Sequence, residues 1–129
     1  MFENANLFGA SFADCRLLGA SFPGATVTGW TIAGGDLSYA LLRGLDLSGL
    51  DLAGVRAREA DFSESSLANA DLRGADLTRA LLANTQLDGA DLRDAILDGV
   101  DLRAAFVAGA ALDLAGAVQL ARSYGAVVE

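Results

Sequence analysis

The 129-residue sequence contains no histidine, no lysine and only one cysteine, Cys15. Histidine is the side chain that most often serves as a general acid or base and as a metal ligand. A single cysteine allows neither an internal disulfide nor a cysteine cluster for zinc. A GxxxxGK[ST] loop, which would bind phosphate, is also missing. The sequence therefore predicts a protein that is not an enzyme and that holds no metal or other cofactor.

Positive charge is scarce as well. Nine arginines face 17 acidic residues, which gives a net charge of −8. Such a surface disfavours direct binding to nucleic acid or to an anionic membrane, and it favours a protein partner with a basic surface. The alternative is that the charge only keeps an apolar protein in solution. No stretch of 18 apolar residues is free of charge, and no basic segment precedes an apolar core at the N-terminus. We therefore expect a cytoplasmic protein without a membrane span.

A large apolar residue recurs at every fifth position, which matches neither the period of a helix nor that of a strand. We call these residues the centres. They are Phe2, Leu7, Phe12, Leu17, Phe22, Val27, Ile32, Leu37, Leu42, Leu47, Leu52, Ala57, Phe62, Leu67, Leu72, Leu77, Leu82, Leu87, Leu92, Leu97, Leu102, Val107 and Leu112. Only Ala57 is small. A fixed period of this kind indicates a repeat architecture.

Each unit has the composition of a short extended segment followed by a turn. A small residue, most often Ala, lies two positions before the centre and can share its inward face. Glycine is frequent two positions after the centre, where a type II turn needs a positive φ. Four units can close a square coil of about 20 residues, and stacked coils would lie about 4.8 Å apart. Residues 20 apart should then stack, and about 5.5 coils would form an all-β solenoid about 26 Å long.

Aspartate often stands one position before the centre and would point outward. One interpretation is that each aspartate caps a turn and stays solvated. The other is that the set forms an acidic surface for a basic partner, in which Asp51, Asp71 and Asp91 stack and Arg73 and Arg93 soften their repulsion. The set is Asp36, Asp46, Asp51, Asp61, Asp71, Asp76, Asp91 and Asp101.

Some positions depart from the pattern. Trp30, Leu45, Leu50 and Val55 replace the small inward residue and predict a wider interior, unless Trp30 points outward. Ala57 would leave a gap that could mark a local bulge. The outward aromatic positions are Phe8 and Phe106, and Cys15 falls on an inward position typical of the core.

The period changes after Leu112. Asp113 is a suitable N-cap, and Gly125 is a suitable C′ residue, so we expect a helix of about 11 residues that covers the last coil. Its apolar face would comprise Leu114, Ala117, Val118, Ala121 and Tyr124. The chain would thus divide into a repeat domain, 1–112, and a helix with a tail, 113–129. The open first coil and the apolar helix and tail would each allow a homodimer, and we favour the helix end, formed by Leu114, Val118, Ala121, Tyr124 and Val127.

The repeat resembles that of pentapeptide-repeat proteins, whose pattern is A(D/N)LXX. The stretches that carry the resemblance are ANADLRGADLTRALL and GADLRDAILDGVDL, and it extends over residues 3–112 in 22 consecutive units. The resemblance implies a right-handed quadrilateral β-helix. Within the family, the chain is most similar to MfpA-type proteins through YALLRGLDLSGLDLAGVRAREADFSESSLANADLRGADL and GAALDLAGAVQLARSYG, and more distantly to Qnr-type proteins.

The resemblance to MfpA-type proteins implies a DNA mimic that binds DNA gyrase and modulates it, with fluoroquinolone resistance as a consequence. The array is shorter than in those relatives, and the difference would be N-terminal. A second hypothesis is a structural or interaction scaffold with another partner. A third is a shortened or idealised array without a function. These alternatives predict different responses to loss of the stacked aspartates, since only the DNA mimic should lose its partner while it keeps its fold.

Overall fold

The computed structural model describes Gly19, Ile32 and residues 35–128 of the chain. Within these residues lies a solenoid that continues to Ala111 and is followed by one helix, α1, at Leu114–Ser123. The expectations for Trp30, Cys15 and Phe8, and those for the first coils of the array, lie outside the described residues.

The coils repeat every 20 residues, as the five-residue period predicts. Each β contact is a single parallel bridge between residues 20 apart, such as Asp36 with Arg56 and Asp51 with Asp71. Four turns occur within each coil; the turn at Leu37–Ala40, for example, closes with a 3.0 Å bond from the Ala40 N–H to the Leu37 carbonyl. The described chain is therefore a four-sided β-helix. No longer strands occur between residues 35 and 128.

We label the four sides by their outward residues, each of which precedes a centre. Side A carries Asp36, Arg56, Asp76 and Ile96; side B carries Leu41, Asp61, Leu81 and Asp101; side C carries Asp46, Ser66, Gln86 and Phe106; and side D carries Asp51, Asp71, Asp91 and Ala111. The chain passes from side A to B, C and D before it returns to side A.

The turns use a left-handed residue at their third position, which confirms the prediction of type II geometry. Gly44, Gly54 and Gly89 have φ angles of 69–73° at this position. Several turns place a side chain there instead, among them Tyr39 (φ 63°) and Arg79 (φ 55°). A left-handed conformation costs a residue with a Cβ about 1–2 kcal/mol. The coil register is therefore strong enough to impose this backbone on residues that disfavour it.

The core consists of the centres and the small residues that precede them. The leucine centres from Leu37 to Leu102 are buried, and Phe62 is the largest buried side chain in the described core. Two inward hydroxyl groups bond to the same carbonyl: Ser65 Oγ donates to the Phe62 oxygen at 2.6 Å and Thr85 Oγ1 donates to it at 2.8 Å. These bonds satisfy polar atoms that burial would otherwise make costly.

The region around Ala57 contradicts one expectation. Ala57 is fully buried, its N–H donates to the Asp76 carbonyl at 2.8 Å, and Arg56 keeps its bridge to Asp76, so the expected bulge is wrong. Leu45, Leu50 and Val55 are all buried in the same coil. Each of them is larger than the alanine usual at this position, and Val55 shares the inward face of side A with the small Ala57 centre. The interior is filled differently here, without a change of register.

The ladder is instead interrupted on side B, between Leu81 and Asp101. Every other described pair of outward residues 20 apart is bridged, but this pair is not. The Leu82 N–H and the Asp101 N–H have no bond in the structure, and the Asn84 N–H bonds the Ala104 carbonyl at 2.9 Å, one residue beyond the usual register. A cleft of about 320 Å³ lies between the two coils at this point.

Helix α1 starts and ends with the signals that the sequence predicts, and it is 10 residues long. Asp113 is its N-cap and accepts the Gly116 N–H at 2.8 Å. At the other end Gly125 has a φ of 85°, the Gly125 N–H donates to the Arg122 carbonyl, and the Ala126 N–H donates to the Ala121 carbonyl. These two bonds form a Schellman motif.

The helix covers the last coil with polar side chains that replace the bonds of a next coil. In the regular ladder, the Asp94 N–H would donate to the backbone carbonyl of Asp113; it donates to Asp113 Oδ2 at 2.7 Å instead. Ser123 Oγ accepts the Leu102 N–H at 3.0 Å, and Gln119 Nε2 donates to the Val100 carbonyl at 2.8 Å. Side chains of α1 thus satisfy backbone groups that the end of a solenoid leaves open.

Part of the apolar face predicted for α1 is exposed to solvent. The side of α1 toward the coil presents Gly116 and Leu120, whereas Leu114 and Tyr124 are exposed. Gln119 and Ser123 also face the coil, because the open N–H and carbonyl groups of the ladder edge need polar partners.

Candidate functional site

The eight aspartates predicted as a partner-binding surface share one local role. In each case Oδ1 accepts the N–H of the residue two positions later, at 2.9–3.1 Å. An aspartate that bonds its own backbone in this way stabilises a turn. The interpretation of single aspartates as turn caps is therefore confirmed. The residues are Asp36, Asp46, Asp51, Asp61, Asp71, Asp76, Asp91 and Asp101.

The same eight residues are distributed over all four sides of the coil. Side D holds three of them, sides A and B hold two each, and side C holds one. The structure therefore brings together Asp51, Asp71 and Asp91, which are joined by consecutive bridges, and separates this ladder from the other five.

Two arginines moderate the repulsion along the side D ladder, as predicted. Arg73 pairs with Asp71 at 2.7 Å and lies 3.8 Å from Asp91, and Arg93 pairs with Asp91 at 2.6 Å. The hydrogen bond from the Arg93 side chain is the main cause that lowers the pKa of Asp91 to about 2, and the Arg73 side chain likewise lowers the pKa of Asp71. The carboxylates of Asp71 and Asp91 are therefore charged at neutral pH.

Three arginines of sides A and B, which are Arg43, Arg58 and Arg79, connect one coil to the next. Arg43 pairs with Glu64 at 2.9 Å, and Arg79 lies 3.8 Å from Glu59. Outward positions on sides A and B carry seven acids and five arginines, whereas sides C and D carry six acids and two arginines. Sides C and D together therefore carry a net charge of −4, whereas sides A and B together carry −2. The negative charge of the described coils is concentrated on sides C and D.

The residues predicted for dimerisation lie at the α1 end and are mainly accessible. Leu114, Tyr124 and Val127 are 82%, 67% and 85% exposed, while Val118 and Ala121 are half-buried. Residues 113–129 contain two acids and one arginine, so the net charge of this end is only −1. The sides of the solenoid carry more negative charge.

Sequence reasoning missed three exposed apolar residues outside α1, which are Ile96 near the helix and Leu41 and Leu81 on side B. Ile96, Leu114 and Val118 help line a groove of about 740 Å³ beside α1. Leu41 and Leu81 are about half exposed on side B. A signal was available, because leucine or isoleucine occupies positions where aspartate is usual. Phe106 was predicted to point outward, and its exposure confirms this.

The described part of the chain has neither a metal-binding cluster nor a helix that could span a membrane. Residues 35–128 contain no group of three or more Cys, Asp or Glu side chains arranged to hold a metal ion. The helix in this part of the chain is too short to cross a membrane.

Comparison with known proteins identifies the architecture. The family model for pentapeptide repeats matches residues 2–29, 36–74 and 65–103, in eight copies. The solved structure of QnrB1, a plasmid-mediated fluoroquinolone resistance protein, superimposes with a TM-score of 0.83 at 25% identity over 97% of this chain. This chain spans 63% of QnrB1. No curated protein matches the sequence.

A second solved structure shares the fold. A pentapeptide-repeat protein from the thylakoid lumen of Arabidopsis thaliana superimposes with a TM-score of 0.62 at 23% identity, over 95% of this chain and 77% of that protein. Together, the family match and these structures imply a right-handed β-helix. The chain therefore belongs to the pentapeptide-repeat family.

Proposed function

We propose that the protein is a non-enzymatic DNA mimic that binds DNA gyrase, modulates its activity and thereby gives fluoroquinolone resistance. The observation that carries the proposal is the likeness to QnrB1, a fluoroquinolone resistance protein, over nearly the whole of this chain. The continuous acidic ladder of side D supports it, because three stacked carboxylates present negative charge at a regular spacing to a basic surface.

The partner-binding surface is proposed to be the set of eight aspartates, with side D as its strongest part. Asp71 and Asp91 already bond their own arginines, so a basic partner would compete with Arg73 and Arg93 for the carboxylate oxygens. Asp51 lies on the same ladder. Binding should therefore be electrostatic and should weaken steeply as the salt concentration rises.

The α1 end is proposed to form the homodimer. Two copies that approach through α1 meet little net repulsion there, since residues 113–129 carry a net charge of −1, whereas the described coils carry thirteen acids and seven arginines. The exposed side chains of Leu114, Tyr124 and Val127 would be buried in this contact. The division of the chain into a repeat domain, 1–112, and a dimerising helix and tail, 113–129, stays a prediction.

The test is a DNA gyrase supercoiling assay in which the purified protein is titrated with and without a fluoroquinolone. The proposal expects inhibition or relief from the drug at micromolar dimer or below. The triple variant Asp51→Asn, Asp71→Asn and Asp91→Asn should require at least tenfold more protein. Asparagine keeps an oxygen that can accept the turn N–H, so the fold is preserved while the charge is removed.

The matched control carries the same charge change on sides A and B, through Asp36→Asn, Asp61→Asn and Asp76→Asn. A smaller loss in the control would support side D as the main contact, and an equal loss would support a collective acidic surface. If the wild-type protein is folded and dimeric but has no effect on gyrase at high concentration, the proposal is wrong.

A second candidate function is an interaction scaffold for a different partner. The observation in its favour is that all eight aspartates stabilise turns, so their abundance does not require a role in binding. In that case the gyrase assay would show no effect, and a pull-down with the wild-type protein and the side D variant would identify the partner.

A further inference from the structure

The turn at Leu102–Ala105 differs from every other described turn of the solenoid. Its closing bond is present, from the Ala105 N–H to the Leu102 carbonyl at 3.2 Å. However, Ala104, which occupies the third position, does not take a positive φ, although the residue at the third position of each other described turn does. Type I and type II turns share the closing bond and differ by a rotation of the peptide between their two central residues. The peptide between Arg103 and Ala104 therefore has the type I orientation.

The hydrogen bonds on both sides of this peptide agree with a rotation. In the regular register, the Asn84 N–H would bond the Arg103 carbonyl; it bonds the Ala104 carbonyl instead. The Arg103 carbonyl has turned toward α1, where the hydroxyl of Tyr124 donates to it at 3.4 Å. The Leu82 N–H and the Asp101 N–H, which would complete the ladder, are left without a bond in the structure.

The aspartate–arginine pair in this turn is not the cause, because two other turns contain the same pair. Asp71 with Arg73 and Asp91 with Arg93 make the same side-chain and backbone bonds as Asp101 with Arg103. The residues that follow those arginines are Gly74 and Asp94, and both take a positive φ. Glycine adopts this conformation freely and aspartate adopts it more readily than most residues, whereas alanine has neither advantage.

We propose that the Arg103–Ala104 peptide is a two-state element whose orientation is set by α1. In one state its carbonyl bonds Tyr124 and the ladder between Leu82 and Asp101 is open. In the other state Ala104 is left-handed, the Arg103 carbonyl accepts from Asn84, and the ladder is closed. The second state strains Ala104 but adds two backbone hydrogen bonds, those of the Leu82 and Asp101 N–H groups. These opposing contributions make the two states close in free energy.

Such an element would transmit events at α1 into the solenoid. Tyr124 is mostly exposed, so a molecule that binds this end and takes up its hydroxyl would release the Arg103 carbonyl. The peptide could then rotate and close the cleft on side B. A ligand changes such an equilibrium only through its different affinity for the two states, and here that difference comes from the hydroxyl of Tyr124.

The test is amide hydrogen exchange of the full chain, measured by NMR. The readout is the exchange rate of the Leu82 amide relative to that of Leu87, whose N–H bonds the Phe106 carbonyl at 2.7 Å. A ratio of the two rates removes changes in overall stability. In the wild-type protein we expect Leu82 to exchange at least tenfold faster than Leu87.

Three variants test separately how the strain at Ala104 and the hydroxyl of Tyr124 affect this ratio. Ala104→Gly removes the strain of the left-handed state and should slow the exchange of Leu82 by about fivefold or more. Tyr124→Phe keeps the ring but removes the hydroxyl, and should change the ratio in the same direction. Ala104→Val is the control, because a β-branched residue disfavours a positive φ and should leave the ratio high. Equal exchange of Leu82 and Leu87 in the wild-type protein, or a ratio that Ala104→Gly leaves unchanged, would overturn the proposal.

Discussion

The coil around Ala57 allows a prediction that runs against the repeat pattern. Leucine is the usual centre, so Ala57→Leu restores the consensus, yet we expect it to destabilise the protein. Ala57 and Val55 are both buried and share the inward face of side A, so Val55 occupies space beside the small centre. Extra methylene groups in a filled core typically cost about 1–3 kcal/mol.

Truncation of the neighbouring Val55 should also destabilise the protein. Val55→Ala removes two buried methyl groups, worth about 0.8 kcal/mol each, and leaves a cavity that raises the loss to about 2–3 kcal/mol. In the double variant, Leu at position 57 fills that cavity, and the total loss should fall to about 1 kcal/mol or less. The coupling energy of the cycle would then be about 2–5 kcal/mol.

The measurement is urea unfolding followed by circular dichroism, with the slope of the transition compared between variants. The stabilities of two variants can be compared only if this slope is the same for both, because a stacked array can unfold in steps. Ala75→Val is a matched control on the next coil, where Leu77 is a normal centre; it should destabilise the protein without a compensating partner. Additive effects of the two changes, or a gain in stability from Ala57→Leu, would refute the volume argument.

Three further predictions concern hydrogen bonds, turns and charge. Thr85→Val should cost about 1 kcal/mol in urea unfolding, since it removes the hydroxyl bond to the Phe62 carbonyl but keeps the shape. Gly54→Ala should cost about 1–2 kcal/mol by the same assay; its φ is 69° and a Cβ would meet no neighbouring atom, so a loss well below this would contradict backbone strain as the cause. The pKa of Asp91 is lowered to about 2 by Arg93, so its contribution to stability is present above about pH 4 and is lost as the pH falls through 2. Thermal unfolding should show this loss in the wild-type protein and a smaller one in Asp91→Asn.

Most of the solenoid could be predicted from the period of the sequence. A large residue at every fifth position can be buried only if each unit turns by a fixed amount, and four units of five residues place Asp51 beneath Asp71 and Asp91. The ends of α1 were also predictable, because Asp113 and Gly125 act through bonds to their own neighbours. Interactions between residues that are close in the sequence, or separated by a fixed period, can therefore be predicted from the sequence.

The candidate site was predictable only in part. Each aspartate could be recognised as outward and as a turn residue, but the distribution of arginines among the sides decides where negative charge remains. Arg43 and Arg79 neutralise acids of a neighbouring coil, whereas Arg73 and Arg93 first pair within their own turns. These choices depend on side-chain distances between stacked coils, which the order of residues does not contain.

The sequence by itself determined the coil length, the inward and outward positions, the capped helix and the excess of acidic residues, because all of these follow from periodicity and local chemistry. The tertiary structure decided which way α1 faces, how the space at Ala57 is filled and where the ladder is interrupted. These features arise where parts of the chain compete for the same space or the same backbone groups, as Tyr124 and Asn84 do for the Arg103 carbonyl. Such competition is resolved only when the coils and the helix are packed together.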